Sequence, residues 1–461
     1  MSVNSEDEKM IWLGKNLSKI SGSGIIYTST RVNTEIYSNW LDYLKINSTF
    51  YNGGLDTETR RRVEEGLINN NYKCVVSTNA LGMGIDKPDI RFIIHTQIPV
   101  SPIHYYQEIG RAGRDGEHSH VILFYNKEAD LSFPQALIDG SRPPIKKYQR
   151  VINVLKNQRL GRNGVSKNTD IKETHVNVIL SDLMEQGIVN QVIEGKRKFY
   201  EYKFGAPKLN TEPFETLRTA KQTDFEKMVE YAETSNCRMK FLCDFLGDDF
   251  TTSCKVCDND RGKRLKVSIS EDWKKKLSDF RESYFPILEV ESKASNIVNG
   301  IAASYYGVSN VGQALQSSKY QNGGDFPDWL LKLTLKAFRK HYGKEQFDLV
   351  LYIPPTESGN LVKNFAQKIA KVLKFPISDG LKKTRVTDSQ KVFQIGLLKR
   401  ENVKNAFSYD GVSEITGISV LLVDDIFDSG ATIREVGRYL TKLGAIKIAP
   451  LIIAKTVGGD I

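Results

Sequence analysis

Two short apolar runs, CVVS at 74–77 and RFIIH at 91–95, bracket a loop with glycines at 82 and 84. Runs of this length rich in β-branched and aromatic residues read as strands, and the glycines let backbone N–H groups approach a ligand. Upstream, GIIYTST from Gly24 is another such run, followed by NTEIYSNWLDYLK with Ile36, Trp40 and Leu44 at helical spacing. TFYNGGLDTETRRRVEEGLINN repeats the pattern, with Gly53 and Gly54 in the turn and Asp56 or Thr57 able to cap the next helix. Strands alternating with helices as far as Phe124 imply a parallel sheet covered on both faces, an α/β lobe over residues 1–130.

Beyond the second run lies HYYQEIGRAGRDG, His104 to Gly116, which sets Arg111 and Arg114 three residues apart in a glycine-punctuated turn behind a Gln-Glu pair. A guanidinium keeps its charge and offers paired donors, which suits a transferring phosphoryl group. Supplied from one lobe onto a nucleotide held by another, it stabilises charge that develops during hydrolysis. An ion-pair cluster on a helix surface would use the same two residues, and the flanking sequence decides against it.

Ser77 to His95 and His104 to Gly116, in that order, resemble the fifth and sixth motifs of superfamily-2 helicases, and GMGIDKPDIRFIIH with YYQEIGRAGRDG resembles the RecQ family. The resemblance implies a second RecA-like motor lobe, with Thr30 and Arg31 in the fourth motif. It also implies that Thr78, Gly84 and Asp86 couple the nucleotide to the single-stranded DNA backbone, while Gln107, Arg111 and Arg114 complete an ATP–Mg²⁺ site. A complete motor needs a GxxxxGK[ST] phosphate loop, yet the Gly-Lys pairs at Gly14, Gly195, Gly262 and Gly343 are followed by Asn, Arg, Arg and Glu. The expectation is a chain that begins after the first motor lobe, whose arginines act on ATP held by a separate RecA-like first lobe.

At 461 residues the chain is too long for one ordinary core, and its 40% hydrophobic content suffices for globular folding. No apolar run approaches the roughly 20 residues of a membrane span, and MSVNSEDEKMIW lacks a secretion signal. A cytoplasmic protein with no membrane partner is expected. The formal charge of +10 points to a polyanion, nucleic acid first.

SFPQALIDGSRPP reads as a connector, after which residues 142–205 give two helices and a hairpin. The second helix carries Val176, Ile179, Leu180 and Leu183 on one face, with Asp170 and Glu173 as a capping pair at its start. The hairpin turns at Gly195 with Lys196, Arg197 and Lys198 at its tip, the pattern of a winged helix. These residues, with Lys146, Lys147, Arg150, Arg159, Arg162 and Lys167, would neutralise DNA phosphates. A winged helix used for protein contacts would look similar.

Over 212–264, CRMKFLCDFLGDDFTTSCKVCDND places Cys254 and Cys257 in a CxxC knuckle with Cys237 opening an apolar helix upstream, a spacing that suits tetrahedral Zn²⁺. The segment resembles the RecQ zinc-binding element with its last cysteine replaced by Asp260. Asp260 is the expected fourth ligand and Cys243 its rival; Cys243 lies six residues past Cys237 on the same helix and so faces elsewhere. In well-known family members this element precedes the winged helix, so the order here is unusual.

The segment 271–461 opens with a helical stretch from Glu271 to Glu291 and then resumes alternation, so it forms a second α/β domain. VLLVDDIFDSGAT sets two carboxylates at a strand's end and a small-residue turn at a helix N-terminus, where backbone amides bind phosphate. Asp424 and Asp425 suit sugar hydroxyls, directly or through Mg²⁺. The loop resembles the phosphoribosyl pyrophosphate signature of type I phosphoribosyltransferases, and Leu381 to Phe407 resembles their ComF-like branch. The resemblance implies that Asp428, Ser429, Gly430, Ala431 and Thr432 cradle the 5′-phosphate, with the turn at Pro355 to Gly359 near pyrophosphate. PPTESGN departs from the usual pyrophosphate loop; Asp428 is either a base toward an acceptor or a loop cap.

The expected architecture is therefore α/β and multidomain: RecA-like helicase lobe, winged helix, small zinc-binding helical element and type I phosphoribosyltransferase-like domain. The expected function is the C-terminal half of a RecQ-like ATP-dependent DNA helicase, 3′ to 5′ by family, acting on single-stranded or forked DNA in repair or recombination. Two rivals stand beside it: a non-motor DNA-binding regulator that senses phosphoribosyl pyrophosphate, and a phosphoribosyltransferase with a scaffold helicase segment.

Overall fold

A computed structural model of the chain describes residues 1–81, 85–249, 252–292, 294–306, 310–320, 325–355, 359–387 and 396–456. They form two compact units, Met1–Arg142 with Asn210–Phe280, and Pro143–Leu209 with Arg281–Asp460. Among the described residues, no helix is long and apolar enough to cross a membrane.

The N-terminal lobe runs α1 (Glu6–Asn16), β1 (Ser23–Tyr27), α2 (Arg31–Tyr43), β2 (Ser48–Tyr51), α3 (Thr57–Ile68), β3 (Cys74–Ser77), β4 (Ile90–His95), α4 (Pro102–Ile109), β5 (His120–Leu123) and α5 (Ser132–Asp139). The strands make one parallel sheet in the order β2-β3-β1-β4-β5, with Ile25 level with Val75 on one side and Ile93 on the other. Four side-chain caps start the helices: Ser5, Thr30, Asp56 and Ser101 each accept a hydrogen bond from a backbone N–H three residues on. The buried face of α2 is Thr34, Tyr37, Ser38, Trp40 and Leu41, displaced from the expected Ile36–Trp40–Leu44 stripe. Polar anchors turn the helix: the Tyr37 hydroxyl bonds Glu6, and Trp40 Nε1 donates to Met10 O at 2.7 Å. The expected connector after Asp130 contains helix α5, because Pro134 falls in the first turn, where a missing N–H costs nothing.

Lys9 and Asp130 are 2% and 3% exposed and 2.8 Å apart, and Asp130 also accepts from Asn126 N, so this buried pair closes α1 onto the end of the lobe. Asp130→Ala leaves Lys9, among the described residues, with the more exposed Glu6. We expect the substitution to cost about 3 kcal/mol in urea unfolding, and Lys9→Met to recover part of that loss in the double variant.

The next module has three helices, not the expected two: α6 (Ile145–Asn157), α7 (Arg162–Thr169) and α8 (Glu173–Glu185), with β6 (Leu160–Gly161), β7 (Val189–Glu194) and β8 (Arg197–Tyr202) in the order β6-β8-β7. Asp170 does not cap α8; it sits in the left-handed region at φ 48° and ends α7, while Lys172 precedes α8 with no side-chain cap. Val176, Ile179, Leu180 and Leu183 are buried as expected.

Four helices follow: α9 (Glu212–Glu233), α10 (Arg238–Leu246), α11 (Asp258–Arg261) and α12 (Glu271–Ser283). Helix α12 stops eight residues short of the expected Glu291, three before Pro286, which bars the helical conformation ahead of it. Its Phe280 packs on Trp40 with ring centroids 5.3 Å apart.

The last domain comprises β9 (Ile287–Leu288), β10 (Gly300–Tyr305), α13 (Asn310–Tyr320), α14 (Asp328–Tyr342), β11 (Leu349–Tyr352), α15 (Leu361–Leu373), β12 (Leu381–Lys383), α16 (Gly396–Val403), β13 (Phe407–Tyr409), β14 (Ser419–Phe427), α17 (Ala431–Lys442) and β15 (Lys447–Lys455). Its sheet order is β11-β14-β15-β10-β9, parallel except for the edge strand β9, and β12 pairs with β13 apart from it. Leu421 and Val423 join one core and Val420 and Leu422 another, the two-faced burial of an inner parallel strand.

Candidate functional sites

The arginine turn is built from the end of α4. Arg111 N bonds Glu108 O at 3.3 Å, and Gly113 N bonds Ile90 O at 3.0 Å, which lays the turn against the start of β4. Gly113 is required there: its φ is 64°, and a Cβ would lie 2.8 Å from Glu117 O. Asp115 anchors the far side through an ion pair with Arg91.

The two arginines are held differently. Arg111 is half-buried beside Tyr27, whose hydroxyl donates to Leu81 O at 3.0 Å; burial raises the pKa of Tyr27, so it stays neutral. Arg114 is 41% exposed and its Nη1 meets Asp86 Oδ1 at 3.0 Å, with Asp86 89% exposed. The structure thus brings together one expected residue from each motif. Gln107 is exposed on α4, Thr78 is half-buried with its hydroxyl 3.4 Å from Ala80 N, and Thr30 caps α2. Arg31 Nη1 comes within 3.3 Å of the Cβ position of Gly54, so it overlies the double-glycine turn. Gly84 lies outside the described residues.

Sequence reasoning missed two supporting residues, Lys87 and His95. Lys87 is 2% exposed and bonds Asp89 and Ile68 O, so its burial aims the adjacent Asp86 outward. Buried His95 holds Glu108 with Nε2 2.7 Å from Oε2. A charged or polar residue beside an apolar strand gives no sign of such burial.

In the zinc-binding element, Cys237 Sγ, Cys254 Sγ, Cys257 Sγ and an Asp260 carboxylate oxygen all lie within 4.8 Å of one another, and Cys243 is outside the cluster. Tetrahedral ligands with Zn–S near 2.3 Å stand about 3.8 Å apart, so a small contraction would seat the ion. Backbone amides already bond the sulfurs: Cys254 N to Cys237 Sγ at 3.2 Å, Cys257 N to Cys254 Sγ at 3.3 Å, and Asp260 N to Cys257 Sγ at 3.4 Å. Burial pushes the Cys254 thiol up to about 12, so the thiolate needs a cation. The Ser253 hydroxyl, with Cys237 and Cys254, holds Asp260 well below the usual carboxylate range, ready as an anionic ligand. Expected zinc contents follow: one ion per chain in wild type and in Cys243→Ala, and loss on dialysis from Asp260→Ala.

In the last domain Asp425 is 7% exposed and Asp424 Oδ1 accepts from Asp425 N at 2.9 Å, near the end of β14. Gly430 precedes α17 with φ 71°, and a Cβ there would meet Phe427 Cζ and Arg434 Nη1, each at 2.8 Å. Ser429 Oγ is 3.4 Å from Ala431 N, and Arg434 bonds Ser429 O at 2.9 Å and Glu289 O at 2.7 Å, fixing the loop from below. Ala431 is buried and Thr432 half-buried at the helix start. Asp428 takes Lys399 Nζ at 2.5 Å and the Thr456 hydroxyl at 3.1 Å. Burial lowers the pKa of Lys383, opposed by the nearby charge of Asp424. Lys399, Arg434, Thr456 and Lys383 were not foreseen. Residues 356–358 of the Pro355–Gly359 turn lie outside the described residues.

On the β7–β8 hairpin, Lys196, Arg197 and Lys198 are exposed, and Gly195 takes φ 59° in its turn. Beside them Arg159 lies 5.3 Å from the Phe199 ring and Lys156 5.1 Å from the Tyr202 ring, a basic surface with aromatic backing.

With this geometry in place, three families match: helicase conserved C-terminal domain over residues 8–116, RecQ zinc-binding over 193–261, and phosphoribosyl transferase domain over 363–457. The ATP-dependent DNA helicase RecQ of Synechocystis sp. is 28% identical over 254 residues, covering 53% of this chain and 50% of its own length. RecQ of Bacillus subtilis is 39% identical over 127 residues, 28% of this chain and 21% of its own length. RecQ of Pasteurella multocida is 37% identical over 139 residues, 30% of this chain and 21% of its own. The chain spans half or less of the length of these curated relatives. The chain thus carries regions that match a RecQ-type helicase C-terminal lobe and zinc-binding element, followed by a phosphoribosyltransferase-like domain.

Proposed function

We propose that this chain supplies the second motor lobe and the DNA-contacting modules of an ATP-dependent DNA helicase for repair or recombination, while a RecA-like first lobe holds ATP and Mg²⁺. The observation that carries this reading is Arg114, exposed at the lobe surface and paired only loosely with Asp86 across two helicase motifs. An exposed ion pair contributes little and breaks easily. On lobe closure Arg114 exchanges Asp86 for the γ-phosphate, with Arg111 beside Tyr27 behind it, and exposed Gln107 completes the site. Release of Asp86 frees the loop that begins at Thr78 to shift its grip on single-stranded or forked DNA, in the 3′ to 5′ direction by family. Cys237, Cys254, Cys257 and Asp260 hold a structural Zn²⁺.

The wing supplies phosphate contacts. With Lys196, Arg197 and Lys198 all replaced by alanine, the slope of log K against log salt on single-stranded DNA should fall by about 2, since each phosphate contact contributes about 0.7. Fluorescence anisotropy across a salt series measures it, and an unchanged slope would remove the wing from the interface.

In the last domain, Asp424 and Asp425 are assigned to ribose hydroxyls, directly or through Mg²⁺, and residues 428–432 to the 5′-phosphate of phosphoribosyl pyrophosphate. One observation favours binding without transfer: Asp428 is committed to both Lys399 and Thr456 and must leave both before it takes a proton. Thermal stabilisation by phosphoribosyl pyrophosphate with Mg²⁺, lost in Asp424→Asn/Asp425→Asn, is expected; pyrophosphate release with a nucleobase or amine acceptor would restore the transferase reading.

A further inference from the structure

We propose that the zinc-binding element is a strut for the arginine turn, with Tyr231 and Arg238 as positioning residues for Arg111. A continuous line of side chains, half-buried at Asp258 and Arg238 and buried from Tyr231 on, joins the two inside the first unit. Asp258 directly follows the ligand Cys257 and takes two hydrogen bonds from Arg238, Nε to Oδ1 at 2.5 Å and Nη2 to Oδ2 at 3.2 Å. The same guanidinium donates through Nη1 to Tyr231 O at 2.8 Å and lies 5.5 Å from the Tyr231 ring. Tyr231 reaches Tyr105 on α4, hydroxyl to hydroxyl at 3.4 Å and ring to ring at 5.1 Å.

From Tyr105 the line enters the motor lobe. Its ring is 5.0 Å from that of His95, which holds Glu108 on the same helix and stacks on Tyr27 at 5.2 Å with planes 27° apart. Tyr27 lies beside Arg111. Tyr27, His95, Tyr105 and Tyr231 are each 5% exposed or less, so none can shift without displacing its neighbour in a close-packed interior. Helix α4 is thus gripped at two sites, by Glu108 from the sheet and by Tyr105 from the zinc-binding element. The knuckle fixes Asp258, Asp258 fixes Arg238, and the tyrosines pass that position to the helix that ends in Arg111.

The functional consequence rests on reading Arg111 and Arg114 as nucleotide-facing; the mechanical link does not. Hydrogen exchange on the full chain tests the link. Arg238→Gln should accelerate exchange over residues 102–114 by at least about tenfold while residues 74–77 stay protected. Acceleration confined to residues 231–261 would overturn the proposal. If Arg238→Gln exchanges everywhere because it does not fold, Tyr105→Phe and Tyr231→Phe, each removing one oxygen, decide instead. Non-additive effects on exchange over 102–114 support the strut, and additive ones overturn it.

With a first lobe supplied in trans, Arg238→Gln should lower kcat and leave KM for ATP unchanged; a rise in KM alone would contradict positioning. Loosening of 102–114 alongside an Arg114→Ala variant of full turnover would leave the strut standing and remove the nucleotide reading. No loosening alongside a dead Arg114→Ala variant would remove only the strut.

Discussion

Arg114→Ala should lower DNA-stimulated ATP turnover of this chain paired with a first motor lobe by about 10³-fold or more, the usual contribution of an arginine supplied across an interface. The loss should fall on kcat, because Arg114 meets the γ-phosphate only in the closed state. Arg114→Lys should rescue little, since a point charge lacks the paired donors that match phosphoryl oxygens. Asp86→Asn removes the partner that holds Arg114 at 3.0 Å before closure. It should therefore leave ATP turnover in place while weakening its dependence on DNA. Stability should be unaffected in all three, because both side chains are exposed, and matching urea midpoints check that the turnover loss is chemical.

Removing zinc should have the second large effect. Structural zinc sites contribute apparent binding energies of about 10–16 kcal/mol, which becomes folding energy where no apolar core can replace it. Helix α11 is four residues long with none buried, and α10 buries only Leu242, so little apolar burial holds the knuckle together without the ion. Chelation, or Cys254→Ser, should make residues 231–264 sensitive to limited proteolysis while the β1, β3 and β4 core remains protected. An equally resistant zinc-free protein would show that the amide-to-sulfur hydrogen bonds suffice.

Much of this was legible in the sequence because the signals were local. The β-branched runs became the inner strands, Asp56 became a cap, and the CxxC knuckle with Cys237 and Asp260 closed into one cluster. Tertiary override explains the misses. Helix α2 turned its face toward Tyr37 because Glu6 offers the hydroxyl a partner, and Asp170 preferred a left-handed helix end to a cap. Lys87 carries a charge and is nonetheless buried, which no local pattern announces. Lys399 meets Asp428 across 29 residues, a juxtaposition that spacing alone does not reveal. Likewise, nothing local in HYYQEIGRAGRDG says that Tyr105 faces the zinc-binding element while Gln107 faces solvent.

If Arg111 and Arg114 form half of a shared ATP site, the two halves hydrolyse ATP efficiently only together. Single-turnover hydrolysis of ATP with single-stranded DNA, measured for this chain, for a RecA-like first lobe carrying a phosphate loop, and for their equimolar mixture, tests it most directly. Turnover in the mixture well above the sum of the two parts, abolished by Arg114→Ala, is the predicted result. A mixture no faster than that sum, or a mixture indifferent to Arg114→Ala, would contradict it.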